Sequence, residues 1–530
     1  MKYPIGIQDF ESIISGGYVY VDKTGLIYRL VTEGKIYFLS RPRRFGKSLL
    51  VSTLEAYFKG KKDLFKGLAI EGLETEWAEY PVFHLSFGGE NFIEQGALES
   101  KIATALNNWE ELYGKPSVAT TFGGRFLHTL QAAHQKTGKR AVVLIDEYDK
   151  PLLDVLDTGV STMIDGENRL LEEHHRNILK GFYSVFKEAD AALQFVLLTG
   201  VTKFSQVSVF SGFNQPSDIS MSRDYEALCG ITEEELYRYF EEPIQEMAEV
   251  YQYTEEGMKE RLKRQYDGYH FGYRMTDIYN PFSILNAFSK MQIGDYWFST
   301  GTPTYLIRLL NHTQENLNDL TGKYYDPSQF VDYKADVEKP LPMIYQSGYL
   351  TVKDCDLEMG TFLLDFPNNE VKKGFVTLVA NNYLQSNKDS GSWARDIVGA
   401  LKTGDLEQVR KLLTSFLADI PYSMRRKETE RERERYFHYT FYLLMRMVSC
   451  YTVYTEKQQS EGRVDCIVET PLYIYIFEFK LDGTADEALA QIEERDYARP
   501  YEADARKLFK VGTVFSSETG TISEVKVTER

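Results

Sequence analysis

Two groups of residues in this 530-residue chain have types and spacing suited to reactive chemistry. The first is Arg41-Pro42-Arg43-Arg44-Phe45-Gly46-Lys47-Ser48, which follows the apolar run Ile36 to Ser40 and precedes helix-period residues Leu49 to Phe58. The pattern G-x-x-x-x-G-K-[ST] wraps backbone N–H groups around phosphates, brings a lysine to the terminal phosphates and sets a hydroxyl on magnesium. Gly46, Lys47 and Ser48 keep the residues that touch phosphate and Mg2+. Arg41 stands in the place of the first glycine, and with Arg43 and Arg44 it adds cationic contacts to a bound ATP. A basic loop that merely precedes a helix is the competing reading. The first 60 residues hold nine Lys or Arg against five acids, inside a chain whose formal charge is −17, so an anion site is expected there.

About a hundred residues on, Ala141-Val142-Val143-Leu144-Ile145-Asp146-Glu147 reads as an apolar strand ending in two carboxylates. At the carboxyl edge of a parallel sheet, Asp146 would orient the magnesium shell and Glu147 would polarise the attacking water. Asp149 is expected to be a structural or capping acid. The strand Phe195 to Leu198 runs into Thr199-Gly200-Val201-Thr202-Lys203, where Thr199 or Lys203 could sense a γ-phosphate, although polar residues at strand ends more often cap loops. His84, His174 and His175 read as structural or surface residues.

The second group lies near the C-terminus. Glu461-Gly462-Arg463-Val464-Asp465 opens one strand and Glu478-Phe479-Lys480 closes the next. With an even connection, parity puts Asp465, Glu478 and Lys480 on one face and Phe479 on the other; a two-residue Pro471-Leu472 turn sets Asp465 opposite Glu478. Two acids at the end of an apolar hairpin need a counter-charge, for which magnesium is a natural candidate, and a neighbouring lysine could then serve phosphodiester hydrolysis. An edge-strand ion pair explains the D…E-x-K residues equally well by themselves. The next segment shifts the balance: Thr484-Ala485-Asp486-Glu487 is a capping box, Leu481, Ala485, Ala488, Leu489 and Ile492 form an apolar helix face, and Gln491 lies beside that face.

The elements needed to position these residues are legible. Short apolar runs between Ile36 and about Gly200 alternate with helical stretches, the pattern of a buried parallel α/β sheet. From Thr232 to Ile420 the segments become helix-period, as in Glu233 to Tyr251 and Asp405 to Leu417, with aromatic and glycine clusters such as Tyr266-Asp267-Gly268-Tyr269. The run Arg425 to Arg435 alternates in sign, which favours a solvated helix face. An apolar helix, Tyr436 to Val448, should follow. No apolar stretch approaches a membrane span or a secretory signal, and the four scattered cysteines support neither disulfides nor zinc, so a cytoplasmic chain is expected. The acidic balance excludes a protein that coats nucleic acid by bulk charge.

At these motifs the chain resembles a family of bacterial proteins that pair an AAA-ATPase-like N-terminal domain with a C-terminal PD-(D/E)XK nuclease-like domain. Tyr20-Val21-Asp22-Lys23-Thr24, the arginine-rich loop, Tyr279-Asn280-Pro281-Phe282, Gly462-Arg463-Val464-Asp465, Glu478-Phe479-Lys480 and Gln491 carry the resemblance. It implies an α/β chain in three parts: a P-loop ATPase domain over 1–230, a mostly helical middle over 231–425 and a restriction-endonuclease-like domain over 426–530. It also implies ATP binding through Gly46, Lys47 and Ser48, magnesium handling by Asp146 and Glu147, and a nuclease core at Asp465, Glu478, Lys480 and Gln491. An acid from the first nuclease helix would be Glu434, with Glu456 in reserve. Nucleic acid, DNA first, is the expected partner; a homo-oligomer is compatible, a membrane is not. Residues 431–530 carry 14 basic and 18 acidic side chains, a point against strong DNA binding by that part alone. The alternative is a signalling or scaffold ATPase whose nuclease-like domain binds a partner without cutting.

Overall fold

The computed structural model describes residues 1–164, 166–204, 216–301, 320–331, 340–384, 390–420, 452–459 and 462–529, with isolated positions between 437 and 445. The chain divides into two compact units, the first running to Val371 and the second from Lys372 onward.

The first unit is built on a parallel sheet of β1 (Ile36–Ser40), β2 (Val82–Ser86), β3 (Ala141–Asp146), β4 (Leu193–Gly200) and β5 (Ser217–Asp218), in the order β2-β3-β4-β1-β5. All six residues of β3 are buried, which explains its unbroken apolar sequence. Parallel pairing brings the carboxyl ends of β1, β3 and β4 to one edge, with β4 between the other two. Helix α1 (Lys47–Phe58) leaves β1 through Gly46, whose φ of 94° lies in the left-handed region that glycine adopts without strain.

Helix α2 (Glu233–Tyr251) begins the following region with a capping box between Thr232 and Glu235. Glu235 also accepts two hydrogen bonds from Lys23 Nζ, at 2.6 and 2.5 Å. Asp22 meanwhile receives Ala69 N at 2.7 Å, so the Tyr20–Thr24 motif anchors the N-terminal segment to its surroundings. Beyond its helices this region holds a three-stranded antiparallel sheet, Lys323–Tyr325, Thr361–Asp365 and Thr351–Asp356, which the helix-period reading did not anticipate.

The second unit carries a mixed sheet of β6 (Thr452–Gln459), β7 (Gly462–Glu469), β8 (Tyr473–Leu481), β9 (Lys507–Phe515) and β10 (Ile522–Glu529), in sequential order, with helix α3 (Ala485–Glu494) after β8. Only the β8–β9 pair is parallel. Alternation along β8 separates two faces. Ile474 and Ile476 pack with Ile492 of α3, whereas Tyr473, Tyr475, Phe477 and Phe479 form an aromatic row with successive centroids about 6 Å apart. Tyr475 donates to Leu401 O at 2.6 Å and Phe441 packs on Phe479 at 4.3 Å, so that row is covered as well. Glu434, most of the apolar segment around Tyr436 to Val448 and the charged run before it lie outside the described residues.

Candidate active sites

At the edge formed by β1, β3 and β4, Lys47 is buried and its Nζ donates to the carbonyls of Arg41 (2.8 Å) and Pro42 (3.0 Å). Ser48 Oγ donates to Asp146 Oδ2 at 2.6 Å. Thr199 Oγ1 donates to Asp146 Oδ1 at 2.6 Å, and Glu147 N reaches the same oxygen at 3.1 Å. Asp146 is therefore oriented from α1, from β4 and by the backbone of the next residue, Glu147. Because the Ser48 proton points at Asp146, its oxygen lone pairs remain available to a cation, as a magnesium ligand requires. Glu147 has a left-handed φ of 55°, an uncommon conformation for a non-glycine residue. A Cβ added to Gly88 would lie 3.1 Å from Glu147 Oε2, so the carboxylate rests close against the backbone there. Burial, and then the Asp146 charge, push the Glu147 carboxyl above its ordinary range, while Lys47 and Arg43 oppose the shift.

The three arginines part company. Arg43 faces Glu147 closely enough to act on its charge, and Arg44 is exposed with its guanidinium 5.0 Å from the Phe282 ring. Arg41 is only 2% exposed; its guanidinium donates to Ser40 O (2.9 Å), Ser220 O (2.6 Å) and Tyr225 O (3.2 Å) and lies 4.1 Å from the Phe271 ring. The expected phosphate contact from Arg41 is corrected accordingly: the side chain is buried and both of its Nη atoms donate to backbone carbonyls. Asp149 is buried and accepts Val201 N, Thr202 N and Thr202 Oγ1, the structural role expected of it. Lys203 pairs with Asp218 at 2.9 Å.

In the second unit, the β7–β8 register pairs Cys466 with Phe477 and Ile467 with Ile476, and Thr470 N donates to Tyr473 O at 2.8 Å across Pro471-Leu472. The connection thus has two residues, and one further step of the register brings Asp465 opposite Glu478. Asp465 Oδ2 accepts Phe479 N at 2.8 Å. Gln491 reaches over from α3: its amide nitrogen donates to Glu478 Oε1, and its oxygen accepts Lys480 Nζ at 2.5 Å. Glu478 is 2% exposed, and among the described residues its Oε2 has no hydrogen-bond partner. Burial first, and then the neighbouring Asp465, push the Glu478 carboxyl up, against the pull of Lys480. A buried orphaned carboxylate oxygen beside a second carboxylate fits a divalent cation, and magnesium commonly takes only one or two protein carboxylates with water and phosphate completing its shell. Among the described residues no group of three or more His, Cys, Asp or Glu converges as a ready metal cage. Glu456 lies on β6, where only its backbone is described.

A family model for a predicted AAA-ATPase matches residues 4–210, and a model of the PD-(D/E)XK nuclease superfamily matches residues 432–525. An uncharacterized protein in the vnfD 5′ region of Azotobacter chroococcum mcd 1 is 33% identical over 528 residues, covering 98% of each chain. The chain belongs to the AAA-ATPase-like family and carries a C-terminal PD-(D/E)XK nuclease superfamily domain. At the level of these families the two domains are those of an ATPase and of a nuclease-like hydrolase, classes that generally use ATP and divalent metal ions. Among the described residues no helix is long and apolar enough to cross a membrane.

Tyr497 was not anticipated for this family member's second site. Its hydroxyl donates to Arg463 O at 2.8 Å, and its ring stands beside Gln491 and Glu478. No spacing signal pointed to it, since Tyr497 lies beyond the end of the helix that carries Gln491.

The Tyr266–Tyr269 and Tyr279–Asn280 motifs meet around a buried acid. Asp267 is 1% exposed and among the described residues neither carboxylate oxygen has a hydrogen bond; Lys263 Nζ stands 3.8 Å away but also serves Glu233 and Asp277 at 2.9 Å. His270 bridges Asp277 and Val352 O, and Lys353 Nζ is held by the carbonyls of Gly268 and Pro367. Burial, and then Asp277, push the Asp267 carboxyl up to about 7. A carboxyl raised in the folded state stabilises the fold while protonated, and that contribution is lost as pH rises through its folded value. Asp267→Asn, neutral at every pH, is thus predicted to raise Tm by about 5 °C at pH 8 and by clearly less at pH 5, where the unfolded carboxyl has ionised but the folded one has not. Thermal scans in which the gain is equal at both pH values would refute a charged Asp267 as the cause.

Proposed function

We propose that this protein is an ATP-hydrolysing enzyme whose second unit is a magnesium-dependent nuclease acting on nucleic acid, DNA in the first instance. The observation that carries the reading is the assembly of Asp465, Glu478, Lys480 and Gln491 at one place, with Glu478 Oε2 unpartnered among the described residues. In the first unit Gly46, Lys47 and Ser48 hold the ATP phosphates, Ser48 and Asp146 serve the magnesium ion, Arg43 adds positive charge and Glu147 orients the attacking water. In the second, Asp465 and Glu478 hold magnesium, which when bound activates water and offsets charge on the phosphate. Lys480 is kept near the reacting group by Gln491, which fixes both its neighbours.

Labelled single- and double-stranded DNA and RNA incubated with the full chain, with and without ATP and Mg2+ or Mn2+, test this directly. Metal-dependent cleavage is expected, and Asp465→Ala and Lys480→Ala should each bring it below detection while ATP binding persists. ATP hydrolysis with no cleavage of any substrate would instead favour a signalling or scaffold ATPase with a binding-only C-terminal domain, which the net acidity of residues 431–530 also suits.

A further inference from the structure

We infer that the phosphate loop is held in its working shape from outside the nucleotide fold, with Arg41, Phe271 and Trp297 as positioning residues for Lys47 and Ser48; this rests on the ATP reading above. A loop that starts with glycine can turn without placing a side chain. Arg41 has a long cationic one, and it is drawn into a buried seat of two carbonyls, Ser220 O and Tyr225 O, closed by the Phe271 ring at 4.1 Å. Among the described residues no acid hydrogen-bonds to it and its Nε lacks a partner; burial lowers its pKa while Asp218 and Glu226 act the other way, so the guanidinium is held in this seat by carbonyls and the Phe271 ring. The main chain of the same residue supplies the carbonyl that receives Lys47 Nζ at 2.8 Å. A shift of Arg41 therefore moves the seat of the phosphate-binding lysine.

The rest of the loop is held in the same way. A Cβ on Gly348, whose φ is +89°, would come within 2.5 Å of Pro42, so that glycine allows the two backbones to close. Trp297 Nε1 donates to Arg43 O at 3.0 Å. Phe45 lies edge-on to Tyr269 at 4.7 Å and to Phe271 at 5.3 Å, and its carbonyl accepts Gly230 N at 3.0 Å. Gly46, Lys47 and Ser48 then follow. Phe271, Trp297 and Gly348 all fall beyond residues 4–210, the stretch that matches the ATPase family model, and within the first compact unit. The region after the parallel sheet is in this sense the other half of the nucleotide site, and the Tyr269–Phe271 stretch has a task there that its sequence alone did not disclose.

The test uses the full chain, with ATP binding followed by calorimetry and by tryptophan emission; the chain has four tryptophans, Trp77, Trp109, Trp297 and Trp393. Wild-type emission should change on addition of Mg·ATP, and Trp297→Phe should remove that change and weaken ATP binding about fivefold, whereas Trp109→Phe should do neither. Arg41→Met should weaken binding at least tenfold and Arg41→Lys less, each compared at a temperature where circular dichroism shows the variant folded. Phe271→Tyr should restore what Phe271→Ala loses. A purely structural role predicts lowered Tm with unaltered ATP affinity. If wild type binds ATP while the folded Trp297→Phe and Arg41→Lys variants bind it equally well and the emission change survives in Trp297→Phe, this inference is overturned and the ATP reading stands. If wild type binds no ATP, the ATP reading fails and takes this one with it. An Arg41→Met chain that does not fold leaves Trp297→Phe, which keeps the aromatic ring, to decide between the outcomes.

Discussion

Lys47→Ala is expected to weaken ATP binding by roughly 10- to 100-fold, and Glu147→Gln to leave binding within about threefold of wild type while removing hydrolysis. The ammonium of Lys47 stands at the start of α1, buried, and held by two loop carbonyls that keep it extended beside Ser48 and Asp146. Hydrogen bonds to charged groups contribute about 1.5–3 kcal/mol each, which sets the scale of the loss. Glu147 has a different setting. It makes no ion pair with Lys47, lies against the Gly88 backbone and is shifted upward by burial and by Asp146, the conditions under which a carboxylate becomes a better proton acceptor. Glutamine keeps the shape and removes the acceptor, so turnover should fall by about 10²- to 10⁴-fold. Calorimetry for binding and phosphate release for turnover separate the two effects. Unaltered ATP affinity in a folded Lys47→Ala protein would end the assignment of this loop to nucleotide, and undiminished phosphate release in Glu147→Gln would shift the water-orienting role elsewhere on that edge.

What was legible beforehand follows from how local each constraint is. The residues of β3 announce a fully buried strand because parallel strands need apolar side chains on both faces, and the strand does end at Asp146. The faces of the C-terminal hairpin were readable from parity alone for any even connection, and the connection is the two-residue turn at Pro471-Leu472. The Thr484 capping box is equally local and is present. Arg41 was misread for a non-local reason: its chemistry suits phosphate, but its direction is set by the Ser220 and Tyr225 carbonyls, nearly two hundred residues away. The sheet formed by Thr351–Asp356 and Thr361–Asp365 was hidden because its strands are short, one carries a register shift between Val352 and Asp354, and charged residues interrupt the alternation. Tyr497 was overlooked because an aromatic near a helix end is usually core, and only the fold shows its hydroxyl turned to Arg463 beside Gln491.

The largest effect expected in the second unit is on metal binding. Glu478 buries a carboxylate with one oxygen unpartnered among the described residues and Asp465 alongside, so without metal this site costs stability, and a divalent cation should recover it. Ligand binding to the folded state stabilises by about 2.7 kcal/mol at a hundred times Kd. Mg2+ or Mn2+ is therefore expected to raise the melting transition of the wild-type second unit by about 5 °C at saturating concentrations. Glu478→Gln should abolish that rise, lower cleavage below detection and leave ATP hydrolysis intact. Its metal-free transition near neutral pH should lie above that of wild type, since a neutral amide is spared the cost of keeping the raised Glu478 carboxyl protonated next to Asp465. Gln491→Ala makes the complementary case: Glu478 Oε1 and Lys480 Nζ both lose their shared partner, so metal-induced stabilisation should survive while cleavage falls. Differential scanning on both variants, with and without metal, distinguishes these outcomes. A wild-type melting curve indifferent to Mg2+ and Mn2+, together with a Glu478→Gln protein no more stable than wild type, would mean that Asp465 and Glu478 do not form a metal site, and the second unit would then be a binding module on a nuclease scaffold.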